Sequence, residues 1–141
     1  MKIMICGSMS FAKEILESKK KLEAKGHKVE IPTDTLKIAS GSHDSDDFEA
    51  NYKHCIENDI IRTHFKMIEK NDAILVLNYD KEGIKGYIGA SSLMEIGLAY
   101  HLGKKIFLLQ SPPDESEQRW SHEIRIIQPF ILNGNLDLIK N

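Results

Sequence analysis

The sequence predicts an α/β fold on a parallel sheet, and three observations carry that prediction. Apolar runs at residues 2–7 (KIMICG), 73–77 (AILVL) and 105–109 (KIFLL) are nearly continuous. Strands covered on both faces read this way, whereas a sheet with one wet face alternates. Segments with helical spacing separate these runs, and the connections are short. Strand and helix in alternation imply parallel strands joined by right-handed crossovers. A chain of 141 residues, 41% hydrophobic and 28% charged, suits one globular domain over residues 1–141 with a single core.

Each element has a local reason. Residues 2–7 form a short buried strand that ends at Gly7-Ser8. Residues 11–25 place Phe11, Ala12, Ile15 and Leu22 at helical spacing among lysines and glutamates, and Gly26 is the stop. Residues 27–31 (HKVEI) alternate as a second strand closed by Pro32, and 33–47 read as a polar loop or lid. Residues 48–70 are expected as one long helix with Ile56, Ile60, Phe65, Met67 and Ile68 among its apolar positions. After the 73–77 strand comes a glycine-bearing loop, then a helix over 92–102 ended by Gly103, then the 105–109 strand. Pro112-Pro113 breaks the chain, 115–127 suits another helix, and 129–132 a last short strand. No repeat, low-complexity tract or linker interrupts this order.

Composition excludes several partners. A formal charge of −2 and a pI near 6.3 supply no basic field for a nucleic-acid backbone. No run approaches the roughly 18 apolar residues of a membrane span, and the opening run is too short for a secretory signal. Two cysteines, Cys6 and Cys55, are too few for a disulfide framework, so a reducing, cytoplasmic setting is expected.

In open parallel sheets, ligands bind outside the carboxyl ends of the strands, where strand order reverses. That edge collects Ser8, Ser10, Asn78, Asp80, Gly89 and Glu95. Glu95 has two readings. Ser92-Leu93-Met94-Glu95 fits the capping box, with Glu at the third helical position bonding back to the cap amide. Alternatively, the macrodipole holds an ionised Glu near the helix start, ready as a nucleophile or electrostatic stabiliser. Gly7-Ser8-Met9-Ser10 between strand and helix suits an oxyanion. It is neither a Walker loop nor G-x-G-x-x-G. Gly83, Gly86 and Gly89 match no phosphate fingerprint and read as a flexible connection. Tyr87 beside them suits stacking on a base or sugar, or plain packing, and Ser91 stands at the helix entry. His43, Asp44, Asp46 and Asp47 are metal-ligand types, but no second cluster completes a site, so a solvated acidic loop is expected and no metal. His54 and His64 lie nearly three helical turns apart, too far to share an ion.

Ile5-Cys6-Gly7-Ser8, the strand opening Asp72-Ala73-Ile74-Leu75-Val76, and Glu95-Ile96-Gly97-Leu98-Ala99 before Gly103-Lys104-Lys105 resemble the nucleoside 2-deoxyribosyltransferase superfamily. That superfamily includes the 2′-deoxynucleoside 5′-monophosphate N-glycosidases, and the resemblance spans about residues 2 to 110. It implies a flavodoxin-like, Rossmann-like three-layer sandwich with about five parallel strands. It places the nucleophile of the E-x-G-x-A motif on Glu95 and the sugar- or phosphate-contacting loop on Gly7 and Ser8. Asn78, Asp80 and His64 become candidates to orient Glu95 or serve the leaving base, and Ser10, Tyr87, Gly89 and Ser91 candidate substrate contacts. The resemblance implies a small nucleoside or nucleotide ligand, no metal or organic cofactor, and a homodimer or larger assembly.

The sequence also departs from that pattern. Where the family has an acidic residue on the helix before the third strand, the ungapped position is His64, with Asp59 available only by a shift. Where many members have an Asp just after that strand, this chain has Asn78 and then Asp80. The loop over 80–90 is longer than in the monophosphate hydrolases, and the Gly-Ser loop lacks an Arg. N-glycosidic cleavage passes through an oxocarbenium-like state that a carboxylate beneath C1′ stabilises or traps covalently. A nucleotide-binding or sensing domain without turnover is the alternative on the same fold. A flavodoxin-type FMN protein is a third, and would need more Ser and Thr after the first strand.

Overall fold

The computed structural model describes residues 1–42 and 47–141. Its strands are β1 (Lys2–Cys6), β2 (Lys28–Glu30), β3 (Ala73–Val76), β4 (Lys105–Leu108) and β5 (Phe130–Ile131). They form one all-parallel sheet in the order β2-β1-β3-β4-β5, an α/β three-layer sandwich of flavodoxin-like type. The helices are α1 (Ala12–Glu23), α2 (Thr35–Ala39), α3 (Phe48–Glu57), α4 (Ile60–Lys70), α5 (Ala90–His101) and α6 (Ser121–Ile127).

The alternation of strand side chains sorts the core into two sheets of packing. Ile3, Ile5, Leu75, Leu77, Phe107 and Leu109 face one side, against Ile15 and Leu22 of α1. Met4, Cys6, Ile74, Val76, Ile106 and Leu108 face the other, against Ile68 of α4, Ile96 and Ala99 of α5, and Ile124 of α6. β1 is followed by α1 on the first face, and its neighbour β3 by α5 on the second. The chain therefore diverges above and below the sheet at the carboxyl ends of β1 and β3, and a crevice opens there.

Several boundaries differ from the sequence expectation. The single helix over 48–70 is two helices, broken at Asn58 and Asp59, where Asp59 takes a left-handed φ of 46°. The break changes the face presented: α3 buries no residue, while α4 buries Ile68. The expected 33–47 loop contains α2, whose Thr35 is buried with its hydroxyl on the Pro32 carbonyl at 2.7 Å. The last helix begins at Ser121 rather than 115, because Asp114 accepts from Ser116 and folds that stretch into a turn. Among the described residues no helix is long and apolar enough to cross a membrane.

Candidate functional site

α4 precedes β3 and α5 follows it, so the first half of each helix lies by the carboxyl edge of the sheet. His64 sits one turn before buried Ile68, on the same face of α4. On α5 the buried face is Ser92, Glu95, Ile96 and Ala99, which is helical spacing. Topology thus brings His64 and Glu95 to the end of β1, where Cys6 points to the same face.

The three side chains meet. Glu95 is only 5% exposed, and the buried Cys6 thiol lies beside its carboxylate. His64 Nδ1 stands 3.4 Å from Glu95 Oε1, and Nε2 of the same ring accepts the Thr33 N–H at 3.4 Å. A ring that accepts at Nε2 carries its proton on Nδ1, the nitrogen nearer Glu95. Among the described residues no Lys or Arg forms an ion pair with Glu95. Burial, and then the nearby Glu95 charge, push the Cys6 thiol well above its ordinary value of 9.0. Cys6 therefore stays a neutral, protonated thiol beside the carboxylate.

The capping-box reading of Glu95 is overturned. α5 begins at Ala90 behind Gly89 as cap, so Ser92 lies inside the helix and the first turn holds no acidic residue. Glu95 is the sixth helical residue, beyond the first turn over which the macrodipole acts strongly. Its surroundings, rather than the helix end, set its chemistry.

The segment after β1 makes the crevice's second wall. Gly7 passes so close to the neighbouring strand exit that a Cβ would meet the Leu77 carbonyl oxygen at 3.3 Å. Ser8 Oγ accepts the Ser10 N–H at 3.3 Å and donates to Ser10 Oγ at 3.2 Å. Lys81 Nζ, arriving from the β3–α5 loop, donates to Ser8 Oγ at 2.9 Å and lies 5.5 Å from the centre of the Tyr87 ring.

That loop is built rather than slack, which corrects its reading as a flexible connection. Asn78 is fully buried and bonds to the carbonyls of Gly86, Gln110 and Ser111 and to the Gln110 N–H. Asp80 Oδ1 accepts the Gly86 N–H at 3.0 Å, and buried Gln118 accepts the Ile88 N–H at 2.9 Å. Gly86 has φ +65° and is pressed against the Ser111 carbonyl, so only glycine fits.

The candidate residues therefore separate into groups. Gly7, Ser8 and Ser10 form one wall with Lys81, while Glu95 and His64 sit together below. Tyr87 and Gly89 lie at the loop's return into α5, the ring 3.5 Å from where a Gly89 Cβ would stand. Ser91 is exposed on the first turn of α5. Asn78 and Asp80 do not reach Glu95: Asn78 serves the loop, and Asp80 also lines a hollow of about 410 Å³ with Phe11, Glu14, Tyr79 and Gln110. Glu14 of that hollow is on α1, the helix packed on the opposite face of the sheet, and Tyr79 packs against the same core. His54 is elsewhere, with Nε2 2.7 Å from Asp34.

Among the described residues no three His, Cys, Asp or Glu side chains converge as metal ligands. Asp47 caps α3 through the Ala50 N–H, and His43, Asp44 and Asp46 lie outside the described residues. Sequence reasoning missed Cys6 as a partner of Glu95, Thr33 as a partner of His64, and Lys81. For Cys6 the strand's two-residue period was a usable signal, and for Lys81 its standing among the few cations of the loop.

No protein-family model and no curated protein sequence matches the chain. Among solved structures, the chain is similar to a Clostridium botulinum CMP N-glycosidase, BcmB, at 19% identity and TM-score 0.51. The match covers 93% of this chain and 84% of that one. It is also similar to a conserved protein from Enterococcus faecalis V583, at 17% identity and TM-score 0.50, over 93% of this chain and 80% of that one. At these identities the likeness is one of fold.

Proposed function

We propose that this chain is a single domain that cleaves the N-glycosidic bond of a nucleoside or nucleotide, with Glu95 as nucleophile. The observation that carries the reading is a buried carboxylate at the carboxyl edge of the sheet, flanked by a thiol and an imidazole. A buried carboxylate without a Lys or Arg partner costs the fold stability, which marks it as kept for chemistry rather than for structure. Supporting this are the E-x-G-x-A resemblance around Glu95 and the fold shared with a CMP N-glycosidase.

In the proposed reaction a Glu95 oxygen attacks C1′ as the C1′–N bond breaks, and the bonding pair leaves with the base, which takes up a proton. Water then attacks C1′, loses its proton, and releases the carboxylate; a second base in place of water makes the reaction a transfer. His64, with Nδ1 3.4 Å from Oε1, is a positioning residue for the attack. Glu95 is buried and His64 half-buried, which limits competition from water.

The test is free-base release from a panel of nucleosides and their 5′-monophosphates by wild type, Glu95→Gln and His64→Ala. We expect Glu95→Gln to lose at least about a hundredfold in rate with its melting temperature retained. His64→Ala should lower kcat roughly tenfold or more, leave KM nearly unchanged and flatten the pH profile. Release that survives in Glu95→Gln removes the proposal.

One observation favours the binding-only alternative: among the described residues no second carboxylate forms an ion pair with His64, and Asp80 is spent on the loop. That protein would be stabilised thermally by a nucleotide yet release no base. We further propose a homodimer, supported by the exposed stripe Phe48, Tyr52 and Ile56 along α3.

A further inference from the structure

Thr33 and Asp34 are neighbours in the turn that leaves β2, and each is bonded to a histidine of a different helix. The Thr33 N–H donates to Nε2 of His64, on α4, at 3.4 Å. The Asp34 carboxylate lies 2.7 Å from Nε2 of His54, on α3. One continuous helix would set these histidines about 15 Å apart along its axis. With the break at Asn58 and Asp59, both address a single dipeptide.

The two bonds differ in strength. The Asp34–His54 bond is short and charge-assisted, between side chains 13% and 26% exposed. Asp34 stands at the N-cap of α2, where an aspartate ordinarily accepts a helix amide, yet its side chain makes no cap bond. Asn58 Nδ2 stands 3.2 Å from Nδ1 of His54. An amide nitrogen only donates, so this ring accepts at Nδ1 and gives its Nε2–H to Asp34. The Thr33–His64 bond is near the long limit for its kind and belongs to an exposed residue. Against water it needs an amide held in place. Thr35, with its N–H and hydroxyl on the Pro32 carbonyl, fixes the internal shape of the turn. The Asp34–His54 bond fixes that turn against α3.

What the Thr33 amide decides is which nitrogen of His64 carries the proton. With the proton on Nε2, two N–H groups would face each other, and the Nδ1 lone pair would face the Glu95 carboxylate. Displacing the amide removes the first of these penalties and lets water accept an Nε2–H.

We infer that Asp34 and His54 are positioning residues: their bond holds the Thr33 amide on His64, which keeps the His64 proton on the nitrogen nearer Glu95. The effect on turnover rests on the proposed role of Glu95; the tautomer does not. The competing role for the pair is a strut between α2 and α3, which would move stability alone.

The test reads the tautomer directly. Nitrogen NMR on the isotope-labelled full chain, at about pH 8.5 and so above the ordinary imidazole range, separates a ring N–H from a bare ring nitrogen. His64→Ala identifies the His64 signals by their loss. Wild type should carry the His64 proton on Nδ1. Asp34→Ala and His54→Ala should show a mixture of tautomers. Asp34→Asn and His54→Gln, which keep an acceptor and a donor, should recover part of the wild-type pattern. In Asp34→Ala, kcat for base release should fall roughly 3- to 10-fold, the worth of one neutral hydrogen bond, with KM nearly unchanged. A wild-type His64 protonated on Nε2 overturns the inference. So does an unchanged His64 spectrum in folded Asp34→Ala and His54→Ala, even with a lower melting temperature. Should the alanine variants fail to fold, Asp34→Asn decides by the same shift, to a smaller extent. A tautomer shift without base release from any substrate sinks the Glu95 reading alone. Glu95-dependent base release that is equally fast in wild type and Asp34→Ala sinks the Asp34 inference alone.

Discussion

Cys6 and Glu95 show how much a single contact decides at the scale of the residue. Cys6 reads in sequence as an inert thiol in an apolar strand, and its burial agrees. Its proton nonetheless belongs to the site, because burial and the Glu95 charge keep the thiol protonated beside the carboxylate. Cys6→Ser keeps a donor and should retain activity, whereas Cys6→Ala should destabilise by about 1–2 kcal/mol and lower kcat. The linkage has a definite sign: the folded thiol holds its proton above 9.0, where the unfolded thiol loses it. This contribution to stability is complete below pH 9.0 and falls as pH rises beyond it. Urea unfolding from pH 7 to 10 should show that decline in wild type and lose it in Cys6→Ala. The reading of Glu95 as a cap failed for a related reason: S-x-x-E specifies a spacing, and the helix began three residues earlier than the spacing assumed.

Among the elements, the β3–α5 loop had the least legible sequence. Its glycines suggested slack, yet Asn78, Asp80 and Gln118 bind its backbone at both ends. The signal was unreadable because two of the partners, Gln110 and Gln118, come from beyond β4. Gly86 is where this construction tolerates least. Gly86→Ala adds a Cβ against the Ser111 carbonyl at φ +65°. It should cost about 2–4 kcal/mol, read as a lower urea midpoint at unchanged slope. The break between α3 and α4 was equally hidden, since no glycine or proline marks Asp59. There the gain from burying Ile68 on a new face outweighs one left-handed aspartate.

For the whole molecule, the surface of α3 has the clearest consequence. Phe48, Tyr52 and Ile56 recur every fourth residue and are 84%, 71% and 62% exposed, and α3 buries none of its residues. A contiguous apolar stripe of that kind facing water is costly unless covered. Sedimentation should find a dimer, and Phe48→Ser with Tyr52→Ser should shift it to monomer while leaving the sheet's unfolding transition in place. A wild-type monomer at micromolar concentration would remove the dimer proposal.

The sequence alone determined the parallel sheet, because runs such as AILVL and KIFLL can be satisfied only by cover on both faces. It also determined that Glu95 and the Gly7-Ser8 segment would share the sheet's carboxyl edge, since connectivity and handedness place strand exits on one side. Which groups touch there was a tertiary decision. That Cys6 and His64 meet Glu95, that Lys81 crosses to Ser8, and that Asn78 ties its loop to the segment after β4 all depend on partners about 30 to 90 positions apart. Local spacing encodes the period and the cover of each element. The registry between elements comes from packing, and the chemistry of this crevice is set by that registry.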